Sequence, residues 1–285
     1  MTIPTLTLND DTTPRLGIPQ LGFGVYLVPP PDTQGVVERA LEVGYRHIDT
    51  AQMYGNEAGV GAALAASGLG RDELFVTTKL NNGNHRPDDA RRSLAESLEA
   101  LGLDQVDLFL IHWPLPERYD GDFVSTWQTM VELRDQGLTR SVGVSNFQPA
   151  HLDRIVAETA VAPSVNQIEV HPFFTNESAR AANARHGVLT EAWAPIARGK
   201  VAESPVIVEI AERLGRTPAQ VALRWHLQRG DIVFPKSTNV ERMRENYDVF
   251  DFELSLADVA ALSALDEGEA GRTGPNPDRF NWIPS

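Results

Sequence analysis

The sequence predicts a (β/α)₈ barrel that takes in the whole chain, 1–285, as one domain. Strand-like and helix-like segments alternate from Leu21 to Leu265. Eight strand candidates fall within that stretch, and eight β–α pairs in about 250 residues is the usual size of such a barrel. The early glycines, Gly17, Gly22 and Gly24, do not form the G-x-G-x-x-G turn with which an open, doubly wound sheet grips a dinucleotide.

The strands are read from short β-branched or apolar runs bounded by polar residues. These are Leu21 to Gly24, Arg46 to Ile48, Val76 and Thr77 before Lys79, Val106 to Ile111, Val142 to Val144, Val165 to Ile168, Val188 to Ala192 and Ile232 to Phe234. Between them lie segments of helical period. Val36, Val37, Ala40 and Leu41 share one face, as do Leu94, Leu98 and Leu101, and Val124, Trp127, Val131 and Leu133 make a broader one. Gly44, Gly68, Gly102 and Gly137 stand where helices should stop. Thr217-Pro218 reads as an N-cap followed by proline at the first helical position. Two segments fall outside the barrel. Thr5 to Ile18, with Asn9-Asp10-Asp11 in its middle, reads as a β-hairpin, and the Gly- and Pro-rich tail after Asp266 reads as an irregular arm.

Composition narrows the chemistry. Twenty-five Lys and Arg stand against 39 Asp and Glu, a formal charge of −14. Such a protein repels phosphate backbones, so no nucleic-acid partner is expected, and any anionic ligand must meet local positive charge. No cysteine is present, which excludes disulfides, thiolate metal sites and cysteine nucleophiles. Met1 to Thr13 lacks the basic and apolar regions of a signal peptide, and no apolar run approaches the ~20 residues that span a bilayer. The expectation is a cytoplasmic monomer with no membrane partner and no metal.

In a (β/α)₈ barrel the chemistry sits at the C-terminal ends of the strands. Here those ends carry Asp49, Lys79, His112, Ser145 with Asn146, Gln167, Trp193 and Lys236. Each alone has an ordinary explanation: a solvated lysine, a structural histidine, an aspartate capping a helix. Together they converge on one mouth. The surrounding segments resemble the three signatures of the aldo-keto reductase family. Gly44-Tyr45-Arg46-His47-Ile48-Asp49-Thr50-Ala51, with Tyr54-Gly55-Asn56-Glu57 and Gly61, resembles the first. Gly143-Val144-Ser145-Asn146-Phe147 resembles the second, and Pro235-Lys236-Ser237 with Arg242, Glu245 and Asn246 the third. The likeness runs from about Leu6 to Asp266. Within the family the chain looks closest to bacterial 2,5-diketo-D-gluconate reductases, through Leu108 to Pro114, Leu223 to Gln228, Asp248 to Phe252 and Trp193. Phe234 departs from the usual Val or Ile before Pro235.

The resemblance implies NADPH-dependent reduction of aldehydes, ketones or dicarbonyl compounds, keto-sugar acids among them, to alcohols. Hydride transfer to a carbonyl carbon needs an acid near the oxygen. The resemblance makes Tyr54 that acid, Lys79 the ammonium that lowers its pKa, Asp49 the partner of Lys79, and His112 the donor that orients the carbonyl. Ser145, Asn146 and Gln167 would meet the nicotinamide carboxamide and Trp193 its ring face. Lys236 and Arg242 would hold the 2′-phosphate, with Ser237 and Thr238 adding donors and Glu245 and Asn246 reaching adenine. The substrate wall would comprise Tyr26, Asn81, Trp113 and the tail residues Phe280 and Trp282. Asn81 stands where many relatives carry Trp, and Pro195 to Lys200 is shorter than the loop that covers the pyrophosphate in many of them. The alternatives are an NAD-linked alcohol dehydrogenase, which Lys236 and Arg242 oppose, and a non-catalytic nucleotide-binding regulator, which the four catalytic positions oppose.

Overall fold

A computed structural model describes residues 3–9 and 15–284. Ten strands are present among them. β1 (Thr5–Thr7) and β2 (Gly17–Pro19) pair antiparallel, with Thr5 opposite Pro19. These are the arms of the expected hairpin; its Asn9-Asp10-Asp11 tip lies largely outside the described residues. The other eight strands are all parallel and follow chain order: β3 (Phe23–Gly24), β4 (His47–Asp49), β5 (Phe75–Leu80), β6 (Val106–Ile111), β7 (Thr139–Ser145), β8 (Val165–Glu169), β9 (Leu189–Trp193) and β10 (Ile232–Val233). A parallel bridge between Leu21 and Val233 closes the ring, with Gly22 N donating to Val233 O at 2.7 Å and Val233 N to Gln20 O at 3.0 Å. The chain therefore folds as the expected (β/α)₈ barrel.

Both faces of most strands are buried, which is why apolar and β-branched residues do not alternate with exposed polar ones along them. The side chains divide into two cores. A small one inside the barrel brings Phe75, Leu108, Leu110, Val165 and Ile232 together with Leu8, Leu16 and Ile18 of the hairpin. Phe75, Val165 and Ile232 open their strands, so the hairpin plugs the end of the barrel opposite the mouth. The large core lies between sheet and helices and includes Val36, Leu94, Trp127, Ile155 and Trp225.

The helices are α1 (Pro30–Val43), α2 (Glu57–Ala66), α3 (Pro87–Leu101), α4 (Phe123–Asp135), α5 (Pro149–Thr159), α6 (Glu177–Arg185), α7 (Pro205–Leu214), α8 (Pro218–Gln228), α9 (Val240–Tyr247) and α10 (Leu256–Ser263). α7 and α10 are additions to the one-helix-per-strand pattern, and they pack on each other. Proline opens α1, α3, α5, α7 and α8, where the missing N–H costs no hydrogen bond. Thr217 caps α8 as read from the sequence. Its hydroxyl accepts from Gln220 N at 3.2 Å while Gln220 Oε1 accepts from Thr217 N at 2.9 Å, an arrangement worth about 1 kcal/mol. Gly44 and Gly102 end α1 and α3, Gly102 in the left-handed conformation. No helix among the described residues is long and apolar enough to cross a membrane.

Candidate active site

Lys79 is the next-to-last residue of β5, and strand alternation aims its side chain into the barrel mouth. It is fully buried. Its three ammonium protons have three acceptors: Asp49 Oδ1 at 2.7 Å, Thr50 O at 2.8 Å and Tyr54 Oη at 3.3 Å. A buried charge is tolerated only when it is paired and its donors are used, and here both conditions hold. Burial works against the Lys79 charge, but Asp49 and Tyr54 together outweigh it and hold the pKa above the ordinary lysine value.

Tyr54 ends the short 3₁₀ turn that follows β4. Asn56 fixes this turn: it accepts from the Thr50 hydroxyl at 3.0 Å and donates to Val25 O and Val28 O, tying the loop to the one after β3. The Tyr54 ring is half-buried between Tyr26, 5.0 Å away, and His112, 5.7 Å away edge-on. Lys79 acts on the Tyr54 pKa in the expected direction, downward, but burial acts against it and is larger. Burial pushes the Tyr54 hydroxyl up to about 12, and the Lys79 charge cancels only part of that rise. His112, one residue past β6, is held well below its usual pKa by burial first and by the Lys79 charge second. It is therefore neutral near pH 7 and presents one N–H. Its Nδ1 is buried without a hydrogen-bond partner among the described residues.

Asp49, Lys79, Tyr54 and His112 thus converge at one end of the barrel. Beside them stand Asn146, Ser145 and Trp193. Asn146 follows β7 with φ 63°, a left-handed conformation that asparagine tolerates. Its amide donates to His112 O and Ser145 Oγ, each at 3.0 Å, and its Oδ1 accepts from Trp193 Nε1 at 2.8 Å. Ser145 Oγ donates to Gln167 O at 2.8 Å. The Gln167 amide nitrogen donates to Asp49 Oδ2 at 2.9 Å and to Glu191 Oε2 at 2.8 Å. Gln167 is therefore joined to the acid end as well as facing the expected cofactor.

Ser237, Thr238 and Asn246 flank the start and inner face of α9, Ser237 and Asn246 buried and Thr238 exposed. Lys236, Arg242 and Glu245 are exposed there, and among the described residues neither cation forms an ion pair. Asn239 caps α9 by accepting from Arg242 N at 2.9 Å. Unanswered positive charge at a helix N-terminus suits an anion, so these residues fit the phosphate end of a dinucleotide. The orphaned His112 nitrogen and the Ser145–Asn146–Trp193 cluster fit its nicotinamide end.

The C-terminal arm crosses the mouth. Its root is fastened by Glu169, the last residue of β8, whose oxygens accept from Thr273 N and Oγ1 at 2.6 Å and from Gly274 N at 3.1 Å. Gly274 lies so close to the Trp193 ring that a Cβ would collide with it. Further along, Phe280 packs on Trp113 at 4.1 Å. Two main-chain carbonyls and one side chain hold the tip: Asn281 O accepts from Arg118 at 3.1 Å, Trp282 O accepts from Asn82 at 3.0 Å, and the Asn281 amide donates to Glu117. Of the expected wall, Trp113 is buried under Phe280, while Tyr26 and Trp282 are more than half exposed. Asn81 is partly exposed, and its Oδ1 caps the turn after β5, accepting from Gly83 N at 3.0 Å. Sequence reading missed Glu169 and Glu191. Glu169 is a buried carboxyl at a strand end, the signal that marked Asp49, whereas Glu191 is buried in the middle of β9.

The profile of the Aldo/keto reductase family matches residues 16–267. The chain belongs to the aldo/keto reductase family. It is 48% identical to an aldo-keto reductase of Mycolicibacterium smegmatis, covering 98% of each chain. It is also 48% identical to the methylglyoxal reductase DkgA of Yersinia pestis, covering 92% of this chain and 94% of that one. Among solved structures, a variant of Gox0644 in complex with NADPH superposes with a TM-score of 0.92 at 41% identity, covering 99% of this chain and 100% of that one. Family membership brings a nicotinamide cofactor, and the residues at both ends of the mouth suit one.

Proposed function

We propose that the chain, acting as one unit over 1–285, is an NADPH-dependent reductase of small aldehydes, ketones or dicarbonyl compounds, with Tyr54 as the proton donor. The observation that carries this reading is the Lys79 ammonium held between Asp49 and the Tyr54 hydroxyl, beside a neutral His112, at the barrel mouth. The relative that acts on methylglyoxal and the one solved with NADPH support it. The resemblance to 2,5-diketo-D-gluconate reductases extends the substrate class to keto-sugar acids. In this reading the protein is a cytoplasmic monomer without nucleic-acid, membrane or metal partners.

A bound reduced nicotinamide supplies the hydride. The rest is the work of the chain. Ser145, Asn146 and Gln167 would hold the carboxamide and Trp193 would pack on the ring, limiting how the nicotinamide can move. Lys236 and Arg242 answer the 2′-phosphate on an otherwise acidic surface. His112 donates its one N–H to the carbonyl oxygen and aligns it with the Tyr54 hydroxyl. As negative charge grows on that oxygen, Tyr54 gives up its proton. Lys79 stabilises the phenolate that remains, and Asp49 keeps Lys79 in place. The high resting pKa of Tyr54 keeps the acid protonated across the physiological range.

A screen of small carbonyl compounds, following oxidation of NADPH and of NADH at equal concentrations, tests the reading. Turnover of an aldehyde or dicarbonyl with clear preference for NADPH is expected. Tight NADPH binding without turnover of any carbonyl would reject catalysis, and equal use of NADH would reject the assigned role of Lys236 and Arg242.

A further inference from the structure

One buried carboxyl behind the active site has no task in the mechanism above. Glu191 lies on β9 two residues before Trp193, so both side chains leave the same face of the strand. It is fully buried. Its Oε2 accepts from Gln167 Nε2, whose other proton goes to Asp49 Oδ2; Asp49 Oδ1 holds Lys79, and Lys79 holds Tyr54. Glu191 Oε1 has no hydrogen-bond partner among the described residues. The groups that face this carboxyl are Asp49 from β4, Lys79 from β5 and Gln167 from β8, with Tyr54 and His112 beyond Lys79. That gives two carboxyls, one ammonium and an amide that carries no charge.

Geometry decides which carboxyl is charged. Asp49 touches the ammonium directly; Glu191 reaches it only through the amide. An ionised Glu191 would leave one buried oxygen with no donor and a second negative charge without a counter-ion, at a cost of several kcal/mol. Both N–H bonds of the Gln167 amide are spent on carboxyl oxygens, so its carbonyl oxygen, on the other side of the planar group, is left for a donor from the mouth. The amino group of a nicotinamide carboxamide is such a donor.

We propose that Glu191 is a positioning residue that works in its neutral form, fixing the Gln167 amide for the nicotinamide and keeping uncompensated charge away from the Asp49–Lys79–Tyr54 chain. Loss of its proton to solvent places a second negative charge behind Asp49, makes the Tyr54 phenolate harder to form and so weakens the acid. Burial first, and the Asp49 charge second, push the Glu191 carboxyl up to about 8, which sets the window. This inference rests on the reductase reading for its catalytic consequence, but not for the state of the carboxyl.

Infrared difference spectroscopy on the unliganded protein tests that state without any turnover. A carboxylic-acid carbonyl band should disappear with a midpoint near pH 8 and be missing from Glu191→Gln. If no band removed by the substitution titrates above pH 6, the proposal is overturned. Should Glu191→Gln fail to fold, Glu191→Met serves for the same band assignment. Single-turnover hydride transfer should fall from pH 7 to pH 9 in the native protein and stay flat over that range in Glu191→Gln. An unchanged alkaline limb in the variant overturns the catalytic half. Glu191→Leu, which removes the acceptor from Gln167, should weaken NADPH binding about threefold to tenfold, the effect of one neutral hydrogen bond. Unaltered NADPH affinity would overturn the orienting role. If the band titrates as expected but no carbonyl is reduced, the reductase reading fails and the buried acid stands.

Discussion

Around Lys79 every charge is already answered, whereas at Lys236 and Arg242, among the described residues, none is. The ammonium at the centre of the mouth has a carboxylate, a carbonyl and a hydroxyl within 3.3 Å and no solvent contact. The two cations beside α9 are exposed and wait on no side chain. The first region is organised before any ligand arrives, as a group that must move a proton in a dry site should be. The second gains its organisation only from a ligand, as a group that must bind and release an anion should. Substitutions in the first region should therefore change rate with little change in cofactor affinity, and substitutions in the second should do the reverse.

The largest effect belongs to the first region. Tyr54→Phe keeps the ring and removes the acidic hydroxyl, so hydride transfer should slow about 10² to 10⁴-fold, or roughly 2.7–5.5 kcal/mol in barrier. NADPH affinity and thermal stability, measured on the same variant, should hardly move. A folded, NADPH-binding variant that reduces a good substrate at the native rate, with hydride transfer rate-limiting, would send the proton to another donor, His112 first. In the second region, Arg242→Ala should weaken NADPH binding roughly ten- to a hundred-fold, the loss of one charged hydrogen bond of about 1.5–3 kcal/mol. NADH binding should be unaffected; equal weakening of both cofactors would break the comparison. Because the α9 cations are exposed, raising salt from about 0.05 to 0.5 M should weaken NADPH binding several-fold more than NADH binding, while the rate of hydride transfer from saturated enzyme stays level. A rate that fell with salt would mean that solvent reaches the Lys79 ammonium despite its burial.

The smallest effect concerns a buried group with no answer at all. His85 lies stacked on Tyr119 with both ring nitrogens buried and, among the described residues, unpartnered, and burial lowers its pKa to about 4. As pH falls from about 6.5, the unfolded chain takes up a proton before the folded one does, so stability present above pH 6.5 is lost toward pH 4. His85→Phe keeps the stacking and removes the orphaned nitrogens. It should add about 1 kcal/mol at pH 7 in urea unfolding and lose less stability than the native protein at pH 4.5. His47, also buried with its pKa lowered to about 4, keeps part of the acid limb in place. An unchanged acid limb in His85→Phe would show that the histidine is paired in solution.

The barrel was legible because strands buried on both faces are mostly apolar or β-branched, and β6, with Asp107 its only polar residue, announces itself that way. β3 and β10 hold only two residues each, and the ring closes through a bridge at Leu21, so the strands that seal the barrel leave the shortest runs in the sequence. The polar residues after the strands were legible because the barrel brings strand ends together whatever the sequence between them. The links behind them were not. Gln167 reaches a carboxyl 118 residues earlier and another 24 residues later, and Glu169 meets Thr273 across 104 residues. No local pattern encodes such pairs. The resting pKa of Tyr54 was not legible for a related reason: the ammonium beside it follows from the motif, but the degree of burial, which dominates, is set by Tyr26 and His112 from other loops.

The way the C-terminal arm is tied down bears on how this enzyme could change its diet. At the tip, Arg118 and Asn82 grip the carbonyls of residues 281 and 282, and every amino acid offers a carbonyl. At residue 282 the attachment is thus indifferent to what hangs from it, whereas at 281 the Asn side chain adds a bond of its own to Glu117. The side chain at 282 can be exchanged, by evolution or in a combinatorial library, without unfastening the strap, while at the root a Cβ on Gly274 would strike the Trp193 ring. Variation is channelled to the end that can accept it, and the part beside Trp193 stays fixed as new substrates are tried.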